Sequence, residues 1–425
     1  MVASQLIRNS SGPNNMVGLY TLTSPLHDEA AVNAASASFV AAIEEVLGFR
    51  FEFHGPDFSS YGTEDLSVIY VRTGGTEGLF QEIYDRLEGP VLLLTSGKSN
   101  SLAASMEILS YLNQQGRSGE IIHGSIEYIA ERISVLAKVA QARKNLRGKR
   151  LGVIGQPSDW LISSAADPAV LSDRLGISMV DIPISELLDE FHKASSSCEA
   201  VAAVRAKFAA SAQKSLHCYS DGAFRIYVAL KVLVERYRLS GLTLRCFDLL
   251  DAVSNTGCLA LAMLNAEGIP AGCEGDVPAL VSMMIGNSLT GVSGFQANPS
   301  RIDPESGEIL FAHCTIPLNM VSCYTFNTHF ESGIGIAISG DIPTGDVTIF
   351  KISGNLTRSF CCEAELLRSQ SEASLCRTQA VLKIKESERT AVCKDYFLKS
   401  PVGNHHIIFP GAAKPLFDAF LQAIA

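Results

Sequence analysis

The stretch Ile269-Pro-Ala-Gly-Cys-Glu-Gly-Asp-Val-Pro278 reads as a short apolar strand that ends in an acidic turn and runs straight into a helix. Continuous apolar strands, each followed by a helix, build a parallel sheet covered on both faces, and such sheets bind ligands beyond the carboxyl ends of their strands. Glu274 therefore sits where chemistry gathers. Upstream, Leu244-Arg-Cys-Phe-Asp248, Met179-Val-Asp-Ile182 and Leu151-Gly-Val-Ile154 read as companion strands, with helices near 255–267, 222–237 and 199–214. An earlier set repeats the pattern. Val17–Leu22, Val68–Val71 and Val91–Leu94 alternate with helices near 28–47, 78–87 and 100–112, and a long helix near 126–145 leads out of it.

After Gly286 helical periodicity fades. Short alternating strands such as Ile309–Ala312, Gly335–Ile338, Asp346–Phe350 and Ala380–Ile384 lie between Gly, Pro and Asp turns, and a helix near 415–424 closes the chain. The expected fold class is α/β: two Rossmann-like parallel-sheet domains, 1–147 and 148–288, followed by an antiparallel β-rich, barrel-like domain over 289–425. A length of 425 residues fits two or three domains, and 47 % hydrophobic with 18 % charged residues fits a well-folded chain. A net charge of −10 with no offsetting basic run excludes nucleic acid and anionic membranes as natural partners. The amino terminus does not read as a signal peptide, and no uninterrupted apolar run approaches a membrane span, so the expected location is cytoplasmic. All 11 cysteines fall between Cys198 and Cys393, odd in number and without a CxxC pair, as reduced, packed thiols would.

Downstream of Glu274, His313 lies 39 residues on, in Ala312-His-Cys314, and His406 a further 93, in Asn404-His405-His406. No short zinc-type spacing occurs, so only folding could unite these groups. A mixed oxygen and imidazole set suits a divalent ion such as Mn²⁺ better than a thiolate-loving one. In an extended segment only one of His405 and His406 can point into a site. His329 and Glu331, two apart on an expected strand, could face substrate or solvent. Asp276 reads as a cap of the following helix or as a helper in the site. Thr73–Thr76 and Ser96–Ser101 follow strands and precede helices; they read as ligand-cradling loops or as capped turns.

These marks, in this order, resemble the L-fucose isomerase and L-arabinose isomerase superfamily. Leu244–Leu249 is similar to the strand before its catalytic segment, and Cys273-Glu-Gly-Asp276 to the segment supplying a metal-binding glutamate. Ala312-His313 and Asn404-His405-His406 resemble its histidine-bearing segments, and Thr328–Gly333 and Gly345–Thr348 also look family-like. The resemblance implies a metal-assisted aldose–ketose isomerase working through an ene-diolate on a free monosaccharide. Glu274, His313 and His406 would hold Mn²⁺, with His329, Glu331, His405 and Asp276 on the substrate side. It further implies a homo-oligomer, hexamer or trimer, with a neighbouring subunit's amino-terminal loops closing the site. One position departs from the pattern: where the family carries a second acidic ligand that also moves protons, this chain has Asn298, and an amide cannot exchange a proton at neutral pH. Two other readings stay open, a carbohydrate-binding or regulatory protein on the same fold and a lyase or epimerase needing one proton-transfer group.

Overall fold

The computed structural model describes residues 17–208 and 217–424. The last turns of the helix expected over 199–214 lie outside the described residues; the helix is seen from Glu199 to Phe208. The chain divides between Lys144 and Asn145 into two compact units.

The first unit is a five-stranded parallel sheet in the order β2-β1-β3-β4-β5, with β1 at Val17–Leu22, β2 at Glu52–Gly55, β3 at Leu66–Val71, β4 at Val91–Leu94 and β5 at Gly119–Ile122. Two of these strands are new to the sequence reading. β2 has two exposed residues at an edge and β5 is mostly half-buried, so neither carries the apolar run that marks a central strand. Side chains alternate between two cores: Leu19 and Val68 face one with Ile43 and Ile133, while Tyr20 and Ile69 face the other with Phe80 and Ile108. The alanine-rich helix Glu29–Leu47 is capped by Asp28 and by Gly48 in the left-handed conformation. Its residues 30–47 average 1.3 in hydropathy and pass for a membrane span by length and composition, although Asn33, Glu44 and Glu45 interrupt the apolar run.

The second unit joins a parallel sheet to a barrel. The sheet runs β7-β6-β8-β9, with β6 at Arg150–Ile154, β7 at Ser178–Ile182, β8 at Gly241–Leu244 and β9 at Ala271–Cys273. The strand expected over Leu244–Asp248 thus ends where it was expected to begin. Arg245 leaves the sheet there to donate to Asp248 Oδ1 at 2.9 Å and to the Pro157 carbonyl at 2.6 Å. The β-rich part is a closed antiparallel barrel in the order β10-β11-β16-β15-β14-β17. Its strands are β10 at Phe295–Asp303, β11 at Glu308–His313, β14 at Gly345–Ile352, β15 at Ser359–Gln370, β16 at Thr378–Ile384 and β17 at His406–Pro410. A separate antiparallel pair, β12 at Cys323–Asn327 and β13 at Ala337–Asp341, stands beside it. Closure leaves no free sheet edge, and Ile309, Phe311, Ile349, Leu366, Leu382 and Ile408 belong to its buried core.

The helix Val277–Thr290 locks sheet to barrel. A Cβ on Gly286 would stand 2.0 Å from Cζ of Phe409 on β17, so the helix packs against this ring only because it carries glycine there. Gln296 on β10 adds a polar joint, accepting from the Cys273 amide at 2.8 Å. The two joints fix the end of β9 and the following helix against β10 and β17.

Candidate metal centre

Glu274 closes β9 in a left-handed conformation with φ of 64°, and Gly275 follows at 71°. A side chain at Gly275 would meet the Gln156 carbonyl and Pro157 Cα at 2.7 Å, so glycine is required for the close approach of that loop. The Glu274 carbonyl accepts from the Ser158 amide at 2.9 Å. This strained turn aims the carboxylate across toward the barrel.

There it meets two imidazoles. One ligand atom from each of Glu274, His313 and His405 lies within 4.8 Å of the other two. Glu274 Oε1 is 3.9 Å from His313 Nε2 and 3.5 Å from His405 Nε2, and the second of these nitrogens is buried with no hydrogen-bond partner among the described residues. Each ring is held from behind. The Thr315 hydroxyl lies 2.9 Å from His313 Nδ1, and Asp276 Oδ2 lies 2.8 Å from His405 Nδ1. That is how metal-binding histidines are oriented, one nitrogen anchored and the other presented.

Of the paired histidines, the structure turns His405 to the cluster and His406 away. Successive side chains on a strand face opposite sides, and His406 pairs with the core residue Ala297. Its ring packs 4.9 Å from Phe397, and its Nε2 bonds the Tyr396 hydroxyl at 2.7 Å. The expectation that His406 joins Glu274 and His313 is therefore not met: His405 does. Asp276 is both cap and support: it accepts from the Ala279 amide at 2.8 Å, holds His405, and faces the buried Lys351 ammonium at 3.4 Å. The strand expectation for His329 and Glu331 also changes. Both lie in the connection between β12 and β13 and not on a strand, with Glu331 exposed and outside the cluster. His329 is buried beside the cluster, 5.6 Å from the Phe247 ring, with Nδ1 3.1 Å from the Ser332 hydroxyl.

Asn298 pairs with Ala312 on the barrel's outer face, the face from which Gln296 reaches Cys273. Asn298 Oδ1 is buried without a hydrogen-bond partner among the described residues. His405 Nε2, likewise without a hydrogen-bond partner among the described residues, stands beside the Glu274 carboxylate, where a cation that displaces the His405 proton would satisfy it.

The charges agree. Burial works to raise the Glu274 carboxyl, but His405 and His313 beside it hold it down at about 2. Burial also opposes charge on His405, yet Asp276 and Glu274 lift it to about 9. His313 is pushed down to about 3 by burial and by His405. Asp276 stays well below the usual carboxylate range, since Lys351 and His405 outweigh its burial.

Sequence reasoning missed several neighbours. Trp160, the chain's single tryptophan, donates its indole N–H to Glu274 Oε2 at 2.6 Å, is 52 % exposed, and stands 4.8 Å from Phe247. The strand order reverses between β6 and β8, and the loop after β6 carries Trp160; the rule for ligand sites in open sheets points at that crevice. Thr315 and Lys351 gave no signal, being ordinary strand-region residues until the barrel closes.

Sheet and barrel together define the class: an α/β-plus-barrel protein presenting a Glu/His/His cluster fit for a divalent cation. No protein-family model matches the chain. Among curated proteins it is similar to the sulfoquinovose isomerases of Priestia aryabhattai and Priestia megaterium, each 23 % identical over 338 residues that cover 75 % of this chain and 74 % of the relative. A sulfoquinovose isomerase from a Clostridium species is 28 % identical over 237 residues, covering 53 % of this chain and 52 % of that one. The expected likeness to sugar isomerases is met in kind.

Proposed function

We propose that the chain is a divalent-metal-dependent aldose–ketose isomerase of a free monosaccharide. The observation that carries this is the convergence of Glu274, His313 and His405 with the orphaned His405 Nε2 among them. Glu274 Oε1, His313 Nε2 and His405 Nε2 would hold the ion, with the Asn298 carbonyl oxygen as a neutral donor. When bound, the ion supplies a Lewis acid for the two sugar oxygens whose charge changes in the reaction; Mn²⁺ suits the donors.

The rest falls to the side chains. Interconversion removes a proton from C2 and returns one to C1 through an ene-diolate, so one group must accept and release it. Glu274 is poorly placed for this alone, as one oxygen faces the histidines and the other is held by Trp160. His329 suits that role, because burial lowers its pKa, against the nearby Glu274 charge, and the imidazole is neutral at neutral pH. It takes the place left by Asn298 in proton transfer. Trp160 and Phe247 give an aromatic wall against which the sugar's C–H face packs.

The test is incubation with Mn²⁺ in heavy water with an aldose panel headed by sulfoquinovose, the sugar in the relatives' names. Deuterium at C1 of the ketose formed and at C2 of the recovered aldose, both lost in Glu274→Gln and in His329→Gln, is the expected result. A protein that binds sugar and Mn²⁺ but exchanges no deuterium would be a binder, and the isomerase reading would fall.

A further inference from the structure

Behind the cluster, on the far side of Asp276, lies an open cavity of about 450 Å³. Lys351, Ser164, Pro278 and Gly403 line its inner part, and Asn355 and Arg358 its rim. It has no aromatic platform among the described residues. Lys351 and Ser164 are 1 % and 3 % exposed. The Lys351 ammonium has two long contacts, 3.4 and 3.5 Å, to the two oxygens of one carboxylate, which leaves a third donor uncommitted. The Ser164 amide bonds the Leu161 carbonyl, and its hydroxyl has no partner among the described residues. These two groups converge on Gly403: a Cβ there would stand 3.8 Å from Lys351 Cε and 3.9 Å from Ser164 Oγ. The one carboxylate among the lining residues, Asp167, caps the following helix through Oδ1, which accepts from the Ala169 and Val170 amides. Arg358 donates one N–H to the Ser400 carbonyl and retains others.

We propose that this cavity is a second ligand site, taking a small oxyanion between Lys351, Ser164 and Arg358, and that its occupancy is felt at the candidate metal centre. A buried ammonium with one N–H to spare and a buried serine whose hydroxyl has no protein partner among the described residues suit an oxyanion, and a guanidinium at the rim completes the set. Two connections lead from there to the cluster, and this half rests on the metal-centre reading. The first is polar, from Lys351 to Asp276 Oδ2 at 3.4 Å and from Asp276 Oδ2 to His405 Nδ1 at 2.8 Å. The second is the loop after β6, which places Trp160 on Glu274 and Ser163 to Asp167 in the cavity wall. An anion that draws the Lys351 ammonium toward itself loosens its hold on Asp276, whose carboxylate then serves His405 more fully.

The experiment is calorimetric titration of the metal-free full chain with inorganic sulfate. One saturable site is expected, weakened about tenfold or more in Arg358→Gln, the loss of one charge-assisted hydrogen bond. Absence of saturable binding, or equal binding in Arg358→Gln, overturns the site. A manganese titration with and without saturating sulfate follows. Bound sulfate should tighten manganese about fivefold or more in the parent chain and not in Arg358→Gln. Manganese affinity unmoved by sulfate overturns the coupling. A chain that binds sulfate but no manganese overturns the metal-centre reading and leaves the cavity assignment standing.

Discussion

Asp276→Asn changes one atom and should break two things by different amounts. In the parent, Oδ1 accepts from the Ala279 amide and Oδ2 from His405 Nδ1, with Lys351 Nζ near both. An amide has one acceptor oxygen. It can cap the helix or hold His405, and its NH₂ then faces a donor at the other place. With His405 no longer anchored, manganese affinity should fall by about 10–100-fold, or roughly 1.4–2.7 kcal/mol. Meanwhile Lys351, 1 % exposed, loses its counter-ion. Leaving one partner of a buried pair uncompensated costs about 3–5 kcal/mol, which in a unit this size lowers the melting temperature by roughly 6–20 °C. Adding Lys351→Met separates the two effects. Replacing both partners removes the stranded cation, so the double variant should regain most of the stability and none of the metal affinity. Thermal melting of the metal-free forms and manganese titration of each form read the two effects. Manganese affinity in Asp276→Asn within about twofold of the parent would refute the support role, since even the smallest expected loss is larger. A double variant as unstable as Asp276→Asn would refute the account of Lys351.

Further outcomes follow from other parts of the structure. His405→Ala should abolish stoichiometric manganese by elemental analysis, whereas His406→Ala should keep it and lose about 2–4 kcal/mol from the emptied barrel interior by denaturant unfolding. His405 has a folded pKa of about 9 against an ordinary 6.5, so its stabilising charge is fully present below pH 6.5 and lost as pH rises toward 9. The metal-free chain should therefore melt lower at pH 9 than at pH 6, and His405→Gln should flatten that trend in a calorimetric scan. Manganese should alter the tryptophan fluorescence, because the single indole touches Glu274; an unchanged spectrum at saturating metal would argue against the cluster. Gly286→Ala should cost about 1–3 kcal/mol by forcing Phe409 aside, measured by urea denaturation.

The fold class was legible because central strands announce themselves. Val17–Leu22 and Leu151–Ile154 are apolar almost without interruption, as strands covered on both faces must be. The edge strand Glu52–Gly55 carries no such run and went unseen. Glu274 was legible from its place after an apolar strand, and His313 from its position in the ordered motifs. The choice between His405 and His406 was not, because it depends on register: one residue's shift exchanges the barrel's interior for its outer face. The turn at His329 failed as a strand for a related reason, since Gly333 and Gly335 both adopt positive φ there. Trp160 lay outside every motif, reaching the site through a loop and not through spacing.

The three residues of the cluster are 39 and 92 residues apart, at the end of the sheet, the end of β11 and just before β17. Most of the chain between the first and last builds a barrel that closes only when β17 pairs with β10 and β14. Contacts so distant along the chain form late and slowly. A cation therefore finds its donors assembled only in molecules that have already completed the barrel. It should act as a latch, slowing unfolding while leaving the refolding rate nearly untouched.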